Sequence, residues 1–218
     1  IVGALQYLTF TRPDIEVCQH MHAPRQSHFV IVKQILHYLK GTVHFGLQLH
    51  RSSFDRIIAF SDVGWAGCPD TRRSTTSYCV FLGSNLVSWS AKKQATVSRS
   101  SAEAEYHAVA HAVADTCWLH SLLCDLHVSL SKPTVIFCDN VSATYLTANP
   151  VNHARTKHIE IDIHFVRERV AWGSHRVQHI STHEQLADIF TKGLPSSKFV
   201  DFQSNLCVLP HPPSIAGG

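Results

Sequence analysis

Two apolar runs of the sequence end in an aspartate, at a position where the pattern asks for a core residue. The run VIFCDN covers residues 135–140. Because side chains alternate across a strand, Asp139 falls on the same face as Val135 and Phe137. The run RIIAFSD ends in Asp62 in the same way. A buried carboxylate is costly unless it is paired, hydrogen-bonded or bound to a metal ion, so the meaning of these two strand ends depends on whether other carboxylates converge on the same place.

A third acid lies on a long helix that is predicted over about residues 102–126. At 100° per residue, Glu105 shares the stripe that must pack on a sheet, which contains Val109, Ala112, Thr116, Leu119 and Leu123. Glu103 lies on the opposite side, and its spacing from Ser100 fits a capping box at the helix N-terminus. We therefore predict that Glu105 points inward and Glu103 outward.

The fourth acid is Asp188, in the stretch STHEQLADIF. Ser181 and Glu184 repeat the capping-box spacing, which places Asp188 in the first turn of a predicted helix. Taken singly, each acid has a structural explanation: Asp62 as a turn residue, Asp139 as a helix cap, and Asp188 as a charge that suits a helix dipole. If all four acids converge on one point, these structural roles do not explain them and a functional site does.

The chemistry of such a convergence follows from its charge. Four carboxylates in one pocket cannot all stay ionised without compensating positive charge. Mg²⁺ and Mn²⁺ supply that charge and prefer oxygen ligands. Two such ions about 3.5–4 Å apart can activate a water molecule and stabilise the leaving oxygen in an in-line attack on phosphorus. We predict that the catalytic and metal-binding residues are Asp62, Glu105, Asp139 and Asp188, with two ions.

The elements that must position these acids follow a regular order. A helix in SHFVIVKQILHYLKGT has an apolar stripe made of Phe29, Val32, Leu36 and Leu39. Three strands follow, RIIAFSD and the two arms of TSYCVFLGSNLVSWSAKK, and then the long helix. The remainder is predicted as strand TVIFCD, helices VSATYLTAN and HIEIDIHFVRERVAW, strand HRVQHIS and helix HEQLADIFTKGL. This order predicts an α/β fold in which helices flank a mixed sheet.

Composition adds a domain plan and a cellular setting. The 218 residues are 44% hydrophobic, enough for a core, and we predict a helical segment over 1–50, an α/β domain over 51–194 and a loose tail over 195–218. The apolar runs fall short of the roughly 18 residues of a membrane span, so we expect a soluble chain with no membrane partner. Seven scattered cysteines suit reduced thiols inside a cell, in a cytoplasmic particle or the nucleus, and not a secreted protein. A net charge of +3 permits a polyanionic partner without demanding one.

Several stretches of the sequence resemble one family. They are YLTFTRPDI, HAPRQSH, ILHYLKGT, SDVGWAG, SRSSAEAEYHAV, FCDNVSA, RTKHIEIDIHFVRE and STHEQLADIFTKGL. Over roughly residues 1–210, the chain is similar to the C-terminal part of copia-type LTR retrotransposon Pol polyproteins. In that part of the family, the end of the reverse transcriptase leads into a ribonuclease H domain.

The resemblance carries expectations about fold and function. It implies a ribonuclease H-like fold with a mixed five-stranded sheet, preceded over residues 1–50 by a helical remnant of the reverse transcriptase. It implies Mg²⁺- or Mn²⁺-dependent cleavage of the RNA strand of RNA/DNA hybrids during reverse transcription, with the hybrid and the remainder of the polyprotein as partners. The family's four metal-binding acids fall on Asp62, Glu105, Asp139 and Asp188. Candidates for contacts to phosphates are Arg72, Arg73, Lys92, Lys93, Arg155 and Lys157.

Departures from the family pattern leave alternatives open. Gly64 stands where most relatives carry a second acid, and the paired-aspartate hairpin of a polymerase is absent from the sequence. One alternative is therefore an inactive remnant that keeps the fold and nucleic-acid binding. Another is a different nuclease on the same kind of fold. Transposase and integrase cores use two aspartates before a late glutamate, and proofreading exonucleases begin with Asp-x-Glu. The order of aspartate, glutamate, aspartate and aspartate found here favours ribonuclease H.

Overall fold

The computed structural model describes residues 2–15, 26, 28–148 and 159–211, and the chain divides into two compact units. The larger unit is Arg51–Gly193. The smaller unit combines Ile1–His50 with Leu194–Gly218. Each unit is described by itself below.

A five-stranded sheet forms the centre of the larger unit. Its strands are β2 (Ile57–Gly64), β3 (Thr75–Leu82), β4 (Asn85–Lys93), β5 (Thr134–Cys138) and β6 (His175–His179), in the spatial order β4-β3-β2-β5-β6. The strands β2, β3 and β4 pair antiparallel, whereas β5 runs parallel to both β2 and β6. The prediction of a mixed five-stranded sheet is confirmed, and with its flanking helices this arrangement is the ribonuclease H-like fold.

A tight turn at Gly83 joins β3 to β4 and makes the hairpin that the sequence predicts. Gly83 has φ +63°, a conformation that costs an L side chain energy. A Cβ atom built at this position would lie 2.7 Å from the Ser52 hydroxyl oxygen and 3.2 Å from the Ser53 carbonyl oxygen. Both the backbone angle and the close neighbours therefore call for glycine.

The long helix α3 (Ser101–Asp125) packs its buried face on the sheet, as its periodicity predicts. Its N-terminus is a capping box: the Ser100 hydroxyl accepts from the Glu103 amide at 3.1 Å, and the Glu103 carboxylate accepts from the Arg99 amide at 2.9 Å. Fully buried alanines on this face allow helix and strands to approach closely, namely Ala104, Ala108 and Ala112. The helices α4 (Val141–Ala148) and α5 (Glu160–Ala171) complete this layer.

The predicted helix in HEQLADIFTKGL is wrong in type and extent. A 3₁₀ helix covers only Leu186–Phe190, and its cap is the Gln185 side chain, which accepts from the Ala187 amide at 3.3 Å. Ser181 instead closes a backbone turn with Glu184. The physical reason is a long-range contact, because the buried Gln185 amide donates to the Ser61 carbonyl of β2 at 2.9 Å and fixes this segment on the sheet.

The smaller unit contains three helices and a two-stranded sheet in its described residues. These elements are α1 (Val2–Leu8), α2 (His28–Gly41), β1 (Phe45–Leu47), α6 (Ser196–Asn205) and β7 (Val208–Pro210), with β1 and β7 antiparallel. The helix predicted around Phe29 is confirmed as α2, although Phe29 and Leu36 of its apolar stripe are exposed.

The predicted loose tail over 195–218 is wrong for its described part, since α6 and β7 are regular elements of the smaller unit. A buried polar group holds α6, and pairing with β1 holds β7. Asp14 accepts two hydrogen bonds from Arg12, at 2.8 and 2.7 Å, and one from the Gln203 amide of α6 at 3.2 Å. The many prolines of the tail suggested disorder, but a polar side chain within α6 pairs with a distant carboxylate.

Among the described residues, no helix combines the length and the apolar character that crossing a membrane requires.

Candidate metal centre

Strand register brings the first two acids together. Ser61 of β2 is the pairing partner of Cys138 of β5, and the two strands are parallel. The residues that follow, Asp62 and Asp139, are therefore neighbours at the carboxyl end of β5, where sites form in sheets of this kind. Asp62 is fully buried, whereas Asp139 is partly exposed and accepts a hydrogen bond from the Thr182 hydroxyl at 3.0 Å.

Glu105 enters the same place from α3. Its side chain lies on the buried face of that helix with 6% of the residue exposed, as the sequence predicts. One carboxylate oxygen of Glu105, one of Asp139 and the sulfur of Cys138 all lie within 4.8 Å of one another. Glu103, two residues earlier, is occupied by the helix cap.

Asp188 completes the group from the 3₁₀ helix. One carboxylate oxygen from each of Asp62, Asp139 and Asp188 lies within 4.8 Å of the other two. Asp139 belongs to both clusters and joins them into one centre. The structure thus brings together all four acids that the sequence singled out, although the element that carries Asp188 differs from the prediction.

Sequence reasoning missed two further side chains at this centre. The Lys192 ammonium donates to Asp62 at 3.1 Å and to Asp188 at 2.6 Å, and the Thr191 hydroxyl donates to the other oxygen of Asp62. The available signal was the spacing of four between Asp188 and Lys192 in ADIFTKG. A lysine at that spacing is also common on an exposed helix, so the sequence alone does not assign it to a site.

The electrostatics of the centre show an excess of negative charge. Burial, reinforced by the charges of Asp62 and Asp139, raises the pKa of Glu105 to about 9. Burial also raises the pKa of Asp62, although Lys192 and Thr191 oppose the change. Burial opposes protonation of Lys192, but the charges of Asp62 and Asp188 outweigh it and raise the pKa of that ammonium. One lysine therefore does not neutralise the four carboxylates.

These residues fit a divalent cation that prefers oxygen ligands. The donors are carboxylates from four separate segments of the chain, and Glu105 stays buried there without a cationic partner at hydrogen-bonding distance in the described residues. Carboxylate oxygens are the ligands that Mg²⁺ and Mn²⁺ favour. Two groups of ligand atoms could hold such a cation, one from Asp62, Asp139 and Asp188 and one from Glu105, Cys138 and Asp139.

The predicted phosphate-contacting residues fall in different settings. Arg72, Arg73 and Lys92 are exposed. Lys93 is partly buried, and its ammonium lies 3.2 Å from the Cys68 sulfur. Arg155 and Lys157 lie outside the described residues.

The chain is similar to Pol proteins of plant transposons. It is 50% identical over 219 residues to the retrovirus-related Pol polyprotein from transposon RE1 of Arabidopsis thaliana, covering 98% of this chain and 15% of that protein. It is 48% identical over 222 residues to the corresponding polyprotein from transposon RE2 of the same plant, covering 100% of this chain and 15% of that protein. No protein-family model matches the chain.

Among solved structures, the chain is similar to the N-terminal RNase H domain of a Mycobacterium tuberculosis protein, determined as a fusion with maltose-binding protein. The TM-score is 0.46 at 12% identity, covering 70% of this chain and 98% of that one. Because these values are low, the fold assignment depends on the strand order and pairing described above. The sequence similarity settles the family: the chain belongs to the copia-type retrotransposon Pol polyproteins and spans about 15% of the length of each of these two plant polyproteins.

Proposed function

We propose that the larger unit is a ribonuclease H that uses divalent cations to cleave the RNA strand of RNA/DNA hybrids during reverse transcription of a retrotransposon. The observation that carries this proposal is the meeting of Asp62, Glu105, Asp139 and Asp188, with Asp139 common to two clusters of ligand atoms. These acids are far apart in the chain, and ordinary capping and turn roles do not account for their convergence. The family membership of the chain supports the same conclusion.

In this mechanism, the four acids are the ligands of two Mg²⁺ or Mn²⁺ ions, which when bound would activate a water molecule and stabilise the leaving oxygen. The residues of the chain set up the reaction before the ions arrive. Thr191 and Thr182 orient the carboxylates of Asp62 and Asp139 through hydrogen bonds. Lys192 lowers the repulsion between Asp62 and Asp188. The 2′-hydroxyl group identifies the strand to be cut.

Substrate binding would come from basic side chains that reach phosphates. The exposed Arg72, Arg73 and Lys92 are suited to this role, because phosphate contacts hold a duplex in place without reading its sequence. The remainder of the Pol polyprotein, above all its reverse transcriptase, would deliver the hybrid.

Cleavage of a labelled RNA/DNA hybrid in the presence of Mg²⁺ tests the proposal. The rates of the wild type, Asp139→Asn and Glu103→Gln are compared, with double-stranded DNA as a second substrate. We expect Asp139→Asn to lose at least about 100-fold in rate, since it removes a ligand from both clusters. Glu103→Gln is the matched control: glutamine can keep the cap of α3, so its rate should stay at the wild-type level.

Equal background rates for the wild type and Asp139→Asn would refute the proposal. If the wild type binds the hybrid but cleaves it no faster than background, the chain is an inactive remnant that keeps nucleic-acid binding.

A further inference from the structure

Cys138 is a buried thiol at the back of the candidate metal centre that the proposed nuclease reaction does not use. It is the last residue of β5 and has no exposed surface. Its sulfur lies 3.9 Å from a carboxylate oxygen of Glu105, and both lie within 4.8 Å of an oxygen of Asp139. The centre therefore contains a soft ligand beside its hard oxygen ligands.

The contacts of this thiol within the protein are the long ones that sulfur makes. The Asn140 amide donates to the sulfur at 3.4 Å, and the Asn140 carbonyl oxygen lies 4.0 Å away. In the described part of the chain, the Glu105 carboxylate has this thiol as its hydrogen-bond partner, at a length typical of a weak contact. A buried carboxylate with so weak a partner leaves room for a ligand between the two side chains.

The separation of these atoms suits a metal that binds sulfur. Zinc lies about 2.3 Å from a thiolate sulfur and about 2.0 Å from a carboxylate oxygen, which places the two ligand atoms roughly 3.5 Å apart in a tetrahedral site. The 3.9 Å between Cys138 and Glu105 is close to that value. Three protein ligands with a fourth, open position are typical of zinc that can also bind water or substrate.

We propose that the centre has a second binding mode, in which Glu105, Cys138 and Asp139 hold one thiophilic divalent cation such as Zn²⁺. Binding forms a metal–sulfur bond and releases the thiol proton to solvent, so no oxidant or reductant is needed. Because Asp139 also belongs to the oxygen cluster with Asp62 and Asp188, the two modes compete. A thiophilic ion therefore acts as an inhibitor of the Mg²⁺-supported reaction. The inhibitory part of this inference rests on the proposed nuclease function, whereas the binding part does not.

Titration of the full chain with Cd²⁺, a thiophilic probe, tests the binding part without any substrate. Thiolate coordination gives an ultraviolet charge-transfer band, and we compare its amplitude in the wild type, Cys138→Ser and Cys124→Ser. Cys124 is exposed on α3 and serves as the matched control. In Cys138→Ser, we expect the part of the band that comes from the tightest-bound Cd²⁺ ion to disappear. In Cys124→Ser, we expect that part of the band to remain.

Two further variants separate loss of the ligand from loss of the fold. Cys138→Ala should lose the same part of the band, while Glu105→Gln keeps the thiol and should weaken Cd²⁺ binding by about 10-fold or more. If the tightest-binding Cd²⁺ equivalent persists in both Cys138 variants, the inference is overturned. An unchanged Cd²⁺ affinity in Glu105→Gln would overturn it as well.

Hybrid cleavage with Mg²⁺ distinguishes failure of this inference from failure of the nuclease proposal. We expect Zn²⁺ to inhibit the wild type at concentrations about 10-fold lower than those that inhibit Cys138→Ser. Cleavage without any Cys138-dependent band would overturn the second mode and leave the nuclease in place. A Cys138-dependent band without cleavage would support the second mode and refute the nuclease.

Discussion

Replacing Lys192 with methionine tests whether this lysine substitutes for part of the charge of a bound cation. Lys192 holds Asp62 at 3.1 Å and Asp188 at 2.6 Å. Both carboxylates are almost completely buried, but 38% of the lysine side chain is exposed. Breaking a buried ion pair costs about 3–5 kcal/mol, and breaking an exposed one about 0–1 kcal/mol. Between these limits, we expect Lys192→Met to lower the free energy of unfolding by about 2 kcal/mol in the presence of a chelator.

The same variant should respond more strongly to Mg²⁺. Without the ammonium, the four carboxylates attract a divalent cation more strongly, and each tenfold gain in affinity corresponds to about 1.4 kcal/mol. We expect the dissociation constant for Mg²⁺ to fall by about tenfold or more. Saturating Mg²⁺ should therefore restore most of the lost stability through ligand binding to the folded state.

Urea unfolding followed by tryptophan fluorescence measures both effects. All four tryptophans, namely Trp65, Trp89, Trp118 and Trp172, lie in the larger unit and report on it. Lys132→Met is the control, because Lys132 pairs with Asp55 on an exposed surface and should change little. Equal unfolding midpoints for the two lysine variants in chelator, or an equal Mg²⁺ response of Lys192→Met and the wild type, would refute the reasoning.

Three other predictions concern stability. Burial, helped by the charges of His120 and Arg169, lowers the pKa of His175 to about 4. Between about pH 6.5 and 4, the His175 side chain is therefore protonated in the unfolded chain but neutral in the folded one. Stability should fall by about 3 kcal/mol as the pH drops through that window, and His175→Asn should flatten the profile measured by urea unfolding. Asp14→Ala removes the carboxylate that pairs with the buried Arg12 guanidinium, which should cost about 3–5 kcal/mol. Because the Tyr38 hydroxyl also donates to Asp14, amide exchange in His28–Gly41 should become faster. Gly83→Ala should lower the melting temperature more than Gly173→Ala does. Both glycines have a positive φ, but an added Cβ meets close neighbours at Gly83 and open space at Gly173, where φ is +73°.

Local spacing carried the predictions that succeeded within single elements. The choice of Glu105 over Glu103 follows from helical geometry and from the capping box at Ser100, which involve residues only a few positions apart. The sequence also placed Asp62 and Asp139 beside strands. The register that makes them neighbours joins β2 to β5 across more than seventy residues, and no local pattern encodes it.

Long-range contacts explain the predictions that failed. Ser181 and Glu184 have the spacing of a capping box, but the bond from Gln185 to the Ser61 carbonyl fixes a different local structure. The prolines of the C-terminal segment suggested a loose tail, whereas Gln203 pairs with Asp14. In each case a partner more than a hundred residues away decides the conformation, so propensity and spacing were insufficient.

The pairing of β1 with β7 has a consequence for how the polypeptide can be divided. Since the smaller unit is assembled from both sides of Arg51–Gly193, the larger unit is an insertion with a covalent tether at each end. A protease that cuts at one junction leaves the other peptide linkage intact, so a single nick does not release the inserted unit. Two cleavages, one near His50 and one near Leu194, are needed to free it from the chain.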